Sequence, residues 1–130
     1  MTTPHIDLGI VVRDIDACLP FYRDVLGLPL RFEFDVPGGT HIYDLAVGEC
    51  SLKLVTHQST PEAANPPGGS RGGTGLRYWT MGTEDIDAAV AKCEAAGAPI
   101  PLPPLELAPG VRIAMIEDPE GNWVELLQRG

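Results

Sequence analysis

Apolar and polar side chains alternate along much of this chain, and period-two alternation marks strands because successive strand side chains face opposite ways. Residues 5–13 (HIDLGIVVR), 30–36, 40–47 and 50–57 read as strands, as do 76–83, 111–116 and 123–128. Residues 99–107 read as an irregular edge broken by prolines. Between the first two strands, DIDACLPFYRDVLGLPL places Leu19, Tyr22 and Leu26 on one helical stripe, with Gly27 at the stop. Proline is tolerated in a first helical turn, so Pro20 predicts Asp16 rather than Asp14 as the cap. A second helix is predicted over 85–96, ended by Gly97. Strand, helix and three strands thus occur twice, giving an α+β chain of two βαβββ modules, 1–58 and 76–130. Residues 59–75, STPEAANPPGGSRGGTG, read as a linker or mobile flap between them.

The residues repeat as well as the elements. DLGIVVRDIDA from Asp7 lies over YWTMGTEDIDA from Tyr78, with identities at Asp14/Asp85, Ile15/Ile86, Asp16/Asp87 and Ala17/Ala88. Gly27 lies over Gly97, and SLKL from Ser51 lies over WVEL from Trp123, which sets Lys53 over Glu125. Internal duplication accounts for this agreement. Both repeat-related strand pairs carry charge where a buried strand would be apolar. Asp7 shares a face with His5 and Val11, Lys53 with Ser51 and Val55, and Glu125 with Trp123 and Leu127. Isolated charges are too costly to bury, so these faces line a pocket or meet water.

Composition narrows the partners. A net charge of −9 with no basic cluster excludes nucleic acid and anionic membrane surfaces, and leaves small organic ligands open. Three cysteines without paired or zinc-type spacing argue for a reducing compartment. The start, MTTPHIDLG, lacks the regions of a signal peptide, so a cytoplasmic location is expected.

Two βαβββ modules, FYRDVLGL in the first helix (Phe21 to Leu28) and DPEGNWVEL before the last strand together resemble the vicinal oxygen chelate superfamily of glyoxalases, dioxygenases and bleomycin-binding resistance proteins. The resemblance spans the chain. It implies a curled mixed sheet around a ligand cavity with helices outside, and a homodimer. It also implies a divalent metal held by one residue from the first and last strand of each module. Carried over, these positions are Asp7, Lys53, Tyr78 and Glu125, of which Glu125 alone matches the usual ligand. No cofactor is therefore expected. A metal, if recruited, would use His5, Asp7 and Glu125, or His41.

The same quartet suggests metal-independent proton transfer of lyase or isomerase type. Glu125 or Asp7 would act as base, with one carboxyl raised in pKa by the excess negative charge. Lys53 would stabilise an oxyanion and Tyr78 would donate. Trp123, His41, Tyr43 and Phe34 are the expected ligand-binding residues. Trp79 and Met81 point to the helix side, and Arg77 and Arg112 read as surface charges. Three alternatives stand beside this reading: a polar cluster filling a cavity that lost its metal, a binder that sequesters an antibiotic or metabolite, and a metal-dependent lyase or dioxygenase.

Overall fold

The first strand is shorter than its apolar run suggests. In the computed structural model, which describes residues 4–130, β1 covers Leu8–Val11 and pairs in parallel with β4 (Cys50–His57) from Leu8↔Leu52 onward. At Asp7 the side chain takes the Ser51 N–H, at 2.8 Å, and the ladder stops. β2 (Leu30–Val36) and β3 (Thr40–Val47) complete a mixed sheet of order β1-β4-β3-β2. Leu45, Leu52 and Leu54 are fully buried with Cys18 and Tyr22 of the helix, which places this core on one sheet face.

That helix departs from expectation at its start and its middle. α1 (Ile15–Pro20) is capped by Asp14, whose carboxylate accepts from the Ala17 N–H at 3.2 Å. Pro20 is consequently past the first turn, and a proline there removes one N–H from the α ladder. The chain continues as one π turn over Phe21–Val25, with the Leu26 N–H donating to the Phe21 carbonyl at 3.0 Å. Gly27, at φ +77°, lets the Leu28 N–H reach back to the Tyr22 carbonyl and close the helix.

The second module repeats the plan. β5 (Tyr78–Gly82), α2 (Ile86–Ala95), β6 (Leu102–Ala108), β7 (Val111–Glu117) and β8 (Trp123–Arg129) give a sheet of order β5-β8-β7-β6, with β5 parallel to β8. Asp85 caps α2 as Asp14 caps α1, accepting from the Ala88 N–H at 3.1 Å. The proline-broken segment is an edge strand with two register irregularities, one between Leu102 and Leu105 where Pro103 and Pro104 have no N–H to give to a ladder. The DPEG turn is knit by Asp118, whose buried carboxylate accepts from the Glu120 and Asn122 N–H groups at 2.8 Å and the Asn122 amide at 2.9 Å. Among the described residues, no helix is long and apolar enough to cross a membrane.

The chain divides into two compact units, Met1–Ala64 and Asn65–Gly130. The boundary falls inside the stretch read as a linker. Residues 65–75 belong to the second unit and are docked on it, as described below.

Candidate functional site

Paired strand residues share a face, so register assigns each candidate. In the first unit, β1, β4 and β3 set Gly9 beside Lys53 and Lys53 beside Asp44, and Phe34 pairs with Ile42 on the same face. Tyr43 pairs with Leu54 and with Glu33, and His41 with Thr56 and Asp35. His41 and Tyr43 therefore occupy the helix-bearing face, opposite Phe34 and Lys53. The expected grouping of His41, Tyr43 and Phe34 around one ligand is not met within this sheet. His41 instead sits edge-on to Tyr43, with ring centroids 4.7 Å apart, and has a carboxylate at each ring nitrogen. Nδ1 is 2.6 Å from Asp35 and Nε2 is 2.9 Å from Glu33, which raises the His41 pKa by hydrogen bonding and charge.

The open face of the first sheet carries a polar network around Asp7 and Lys53. Besides the Ser51 N–H, Asp7 has His5 Nε2 at 3.6 Å. The Ser51 N–H, with help from the nearby His5 and Lys53, holds the Asp7 carboxyl below its usual range. Asp7 thus stays ionised and is not a carboxyl of raised pKa. A bulge between Leu30 and Phe32 turns Arg31 onto this face, where it donates to Asp44 at 2.9 and 3.2 Å and to the Ser51 hydroxyl. Asp44 is 3% exposed, so Arg31 is its compensating charge. Phe32 and Phe34, 53% and 40% exposed with centroids 5.9 Å apart, flank the network. A Cβ added at Gly9 would meet nothing within 4 Å, so Lys53 has open space beside it.

In the second unit, Tyr78 pairs with Trp123 and Thr80 with Glu125, placing all four on one face. Thr80 donates to Glu125 at 2.8 Å. Thr80 was legible: it lies two residues beyond Tyr78, hence on the same face. Trp79 and Met81 face Val124 and Leu126, on the helix side as expected.

Trp123 is not simply an open stacking surface. Its Nε1 donates to Glu117 at 3.0 Å, and Gly69 lies against its ring so closely that a Cβ there would overlap Cδ2, Cε2 and Cε3. The glycine-rich loop is held in place by Arg77, read from sequence as a surface charge. Its Nε donates to the Gly69 carbonyl at 2.7 Å and its terminal nitrogens to the Pro66 carbonyl at 2.6 Å and Asn65 at 3.1 Å. Asn65 also donates to Asn122 at 3.1 Å. Ser70, Gly73, Gly75, Leu76, Arg77 and Tyr78 line an open cleft of about 300 Å³.

The donor sets do not suit a divalent metal. One unit offers a carboxylate with an ammonium, which has no lone pair to give, and the other a carboxylate with a neutral phenol, a poor ligand. Among the described residues, no group of three or more His, Cys, Asp or Glu side chains is arranged to hold a metal.

Residues 3–126 match the model of the Glyoxalase/Bleomycin resistance protein/Dioxygenase superfamily. A probable lactoylglutathione lyase from Synechocystis is 32% identical over 126 residues, covering 92% of this chain and 90% of that protein. A glyoxalase family protein from Bacillus cereus superposes with a TM-score of 0.84 at 19% identity, over 99% of this chain and 95% of the other, which is a likeness of fold. An antibiotic-binding protein from a Streptomyces species superposes with a TM-score of 0.73 at 25% identity, over 100% and 99% of the two chains.

Proposed function

The chain belongs to the Glyoxalase/Bleomycin resistance protein/Dioxygenase superfamily, and from that premise we propose that it is a lyase- or isomerase-type enzyme that moves a proton on a small carbonyl compound without a metal. Glu125 is the base. It takes a proton from the carbon next to the carbonyl, the electron pair passes to the carbonyl oxygen, and reprotonation completes the step. Lys53 supplies positive charge for the developing oxyanion, and Tyr78 is the proton donor. Asp7, kept ionised by the Ser51 N–H, holds the Lys53 charge rather than acting as base.

The observation that carries this reading is the chemistry at the repeat-related positions. A scaffold whose relatives include a probable lactoylglutathione lyase has an ammonium beside a carboxylate in one module and a phenol beside a carboxylate in the other. A surface serving only to stack a ligand would not need ionisable groups there. The test is exchange of the α-proton of S-lactoylglutathione for deuterium in D2O by the chelator-treated protein, which reads the proton-transfer step itself. Lys53→Met and Glu125→Gln should each lower kcat by about 10²-fold or more with thermal unfolding unchanged. Full turnover by both variants would sink the proposal.

A second reading is sequestration of an aromatic antibiotic or metabolite. It is favoured by the exposed Phe32 and Phe34 pair and by the likeness to the antibiotic-binding protein. Saturable ligand binding without turnover, weakened by Phe34→Ala and indifferent to Glu125→Gln, would favour it.

A further inference from the structure

Three arginines of this acidic chain are matched to carboxylates: Arg23 to Asp24, Arg31 to Asp44 and Arg112 to Asp87. Arg77 is different. It is half-buried, and its hydrogen bonds go to two carbonyl oxygens and one amide oxygen, all neutral. Three of a guanidinium's five N–H donors are thereby engaged, and the other two, on the terminal nitrogens, have no acceptor among the described residues. A partly desolvated cation without a counter-charge favours an anion.

The loop is built so that nothing of its own fills that role. A Cβ at Gly72 would overlap the Pro67 carbonyl oxygen and come within 2.9 Å of a terminal nitrogen of Arg77, and one at Gly73 would lie 3.9 Å from the guanidinium carbon, in ordinary contact. With glycine at both positions, no side chain of these two residues rests on the guanidinium. The adjacent cleft of about 300 Å³ is at the lower end for small-molecule sites. Its walls combine the Ser70 hydroxyl with two apolar surfaces, Leu76 at 93% exposure and the Tyr78 ring at 46%.

We infer that Arg77 anchors a binding site for a small organic carboxylate, whose anionic head takes the two unused guanidinium donors and whose apolar body rests on Leu76 and Tyr78. A planar guanidinium matches a carboxylate with paired, charge-assisted hydrogen bonds. The site touches the proposed proton-transfer machinery at Tyr78 and rests on that reading only in taking Tyr78 as a ligand-contacting group.

Arg77 also fastens the loop, so the test leaves it intact. Benzoate, and its neutral counterpart benzamide, are titrated into the full-length protein by calorimetry. Benzoate should bind one site at least about ten-fold more tightly than benzamide, the difference expected of a charge-assisted pair. Leu76→Glu should weaken benzoate about ten-fold or more and Leu76→Lys should not, with unfolding temperatures unchanged because the side chain is solvent-exposed. Equal affinity for benzoate and benzamide, no saturable binding, or the same response from both variants would overturn the inference. Benzoate binding with full turnover in Lys53→Met would remove the proton-transfer reading alone. Absence of benzoate binding with the expected Lys53→Met loss would remove the carboxylate site alone.

Discussion

Replacing Gly69 by alanine tests whether the glycine-rich loop is docked on Trp123. Gly69 has φ +56°, a left-handed conformation that costs an L-residue about 1–2 kcal/mol. Its Cβ would also overlap three atoms of the indole ring, and the ring cannot easily retreat because Nε1 is tied to Glu117 at 3.0 Å. The cheaper relief is for the loop to lift. Lifting forfeits the three Arg77 bonds at 2.6, 2.7 and 3.1 Å, each contributing about 0.5–1.5 kcal/mol net. The loss should therefore approach about 3 kcal/mol, with lifting as its ceiling.

Gly75→Ala is the control, since its φ is +92° and its Cβ would meet nothing within 4 Å. It should carry the backbone cost alone, about 1–2 kcal/mol. Urea unfolding followed by far-UV circular dichroism separates the two by midpoint at constant slope. Trp123→Leu in the Gly69→Ala background should be milder than in the parent, because the overlap has already undone the contact. If Gly69→Ala and Gly75→Ala agree within about 0.5 kcal/mol, the loop does not rest on Trp123 and the account of Arg77 as its clasp falls with it.

Other outcomes follow from single residues. Arg31→Met should destabilise by about 3 kcal/mol by leaving the buried Asp44 carboxylate uncompensated, and adding Asp44→Asn should recover part of that loss in urea unfolding. The raised His41 pKa means that its ion pairs contribute fully below its ordinary value of 6.5 and fade as pH rises through the folded value. The stability gap between parent and His41→Gln should shrink as pH rises above 6.5, and a gap that widens would refute the bridge to Asp35 and Glu33. Burial pushes the Cys93 thiol up to about 11, and Cys18 is also buried, so a thiol reagent at neutral pH should modify Cys50 and reach the other two only on unfolding.

Local signals carried most of the fold. The second, third and fourth strands fall where alternation put them, and the second helix starts at Asp85 as read. The first helix is capped by Asp14 and not by Asp16, because Pro20 is absorbed past the first turn where the chain widens into a π turn. The other misreadings are tertiary. Nothing near Asp7 in sequence announces that its side chain will take the Ser51 N–H, and nothing near Arg77 announces three acceptors in the loop before it. Proline and glycine between residues 59 and 75 signal absence of regular structure, which is a different property from being unattached. One misreading was avoidable. The loop at 37–39 pairs Val36 with Thr40, so even-numbered residues of β2 face even-numbered ones of β3, which sets Phe34 with Ile42 and puts Tyr43 on the other side.

The two modules also differ in a coupled way that bears on how the site arose. Lys53 has Gly9 and Asp44 as strand neighbours, and its counterpart Glu125 has Thr80 and Met115. Where the ammonium stands, its neighbours are a carboxylate and an open position; where the carboxylate stands, they are a hydroxyl donor and an apolar side chain. Each charge is thus accommodated inside its own sheet. Restoring a carboxylate at Lys53 alone would set it beside Asp44 and near Asp7, two carboxylates that already share Arg31 and Ser51 as partners within one network. Like charges at that spacing oppose ionisation, so a single substitution should not rebuild an acidic metal-type site there. The ammonium is therefore part of the module's internal charge balance as well as its proposed chemistry, and the two roles separate by measurement: Lys53→Met alters both, whereas a neutral change at Asp44 disturbs the balance while leaving the amine in place.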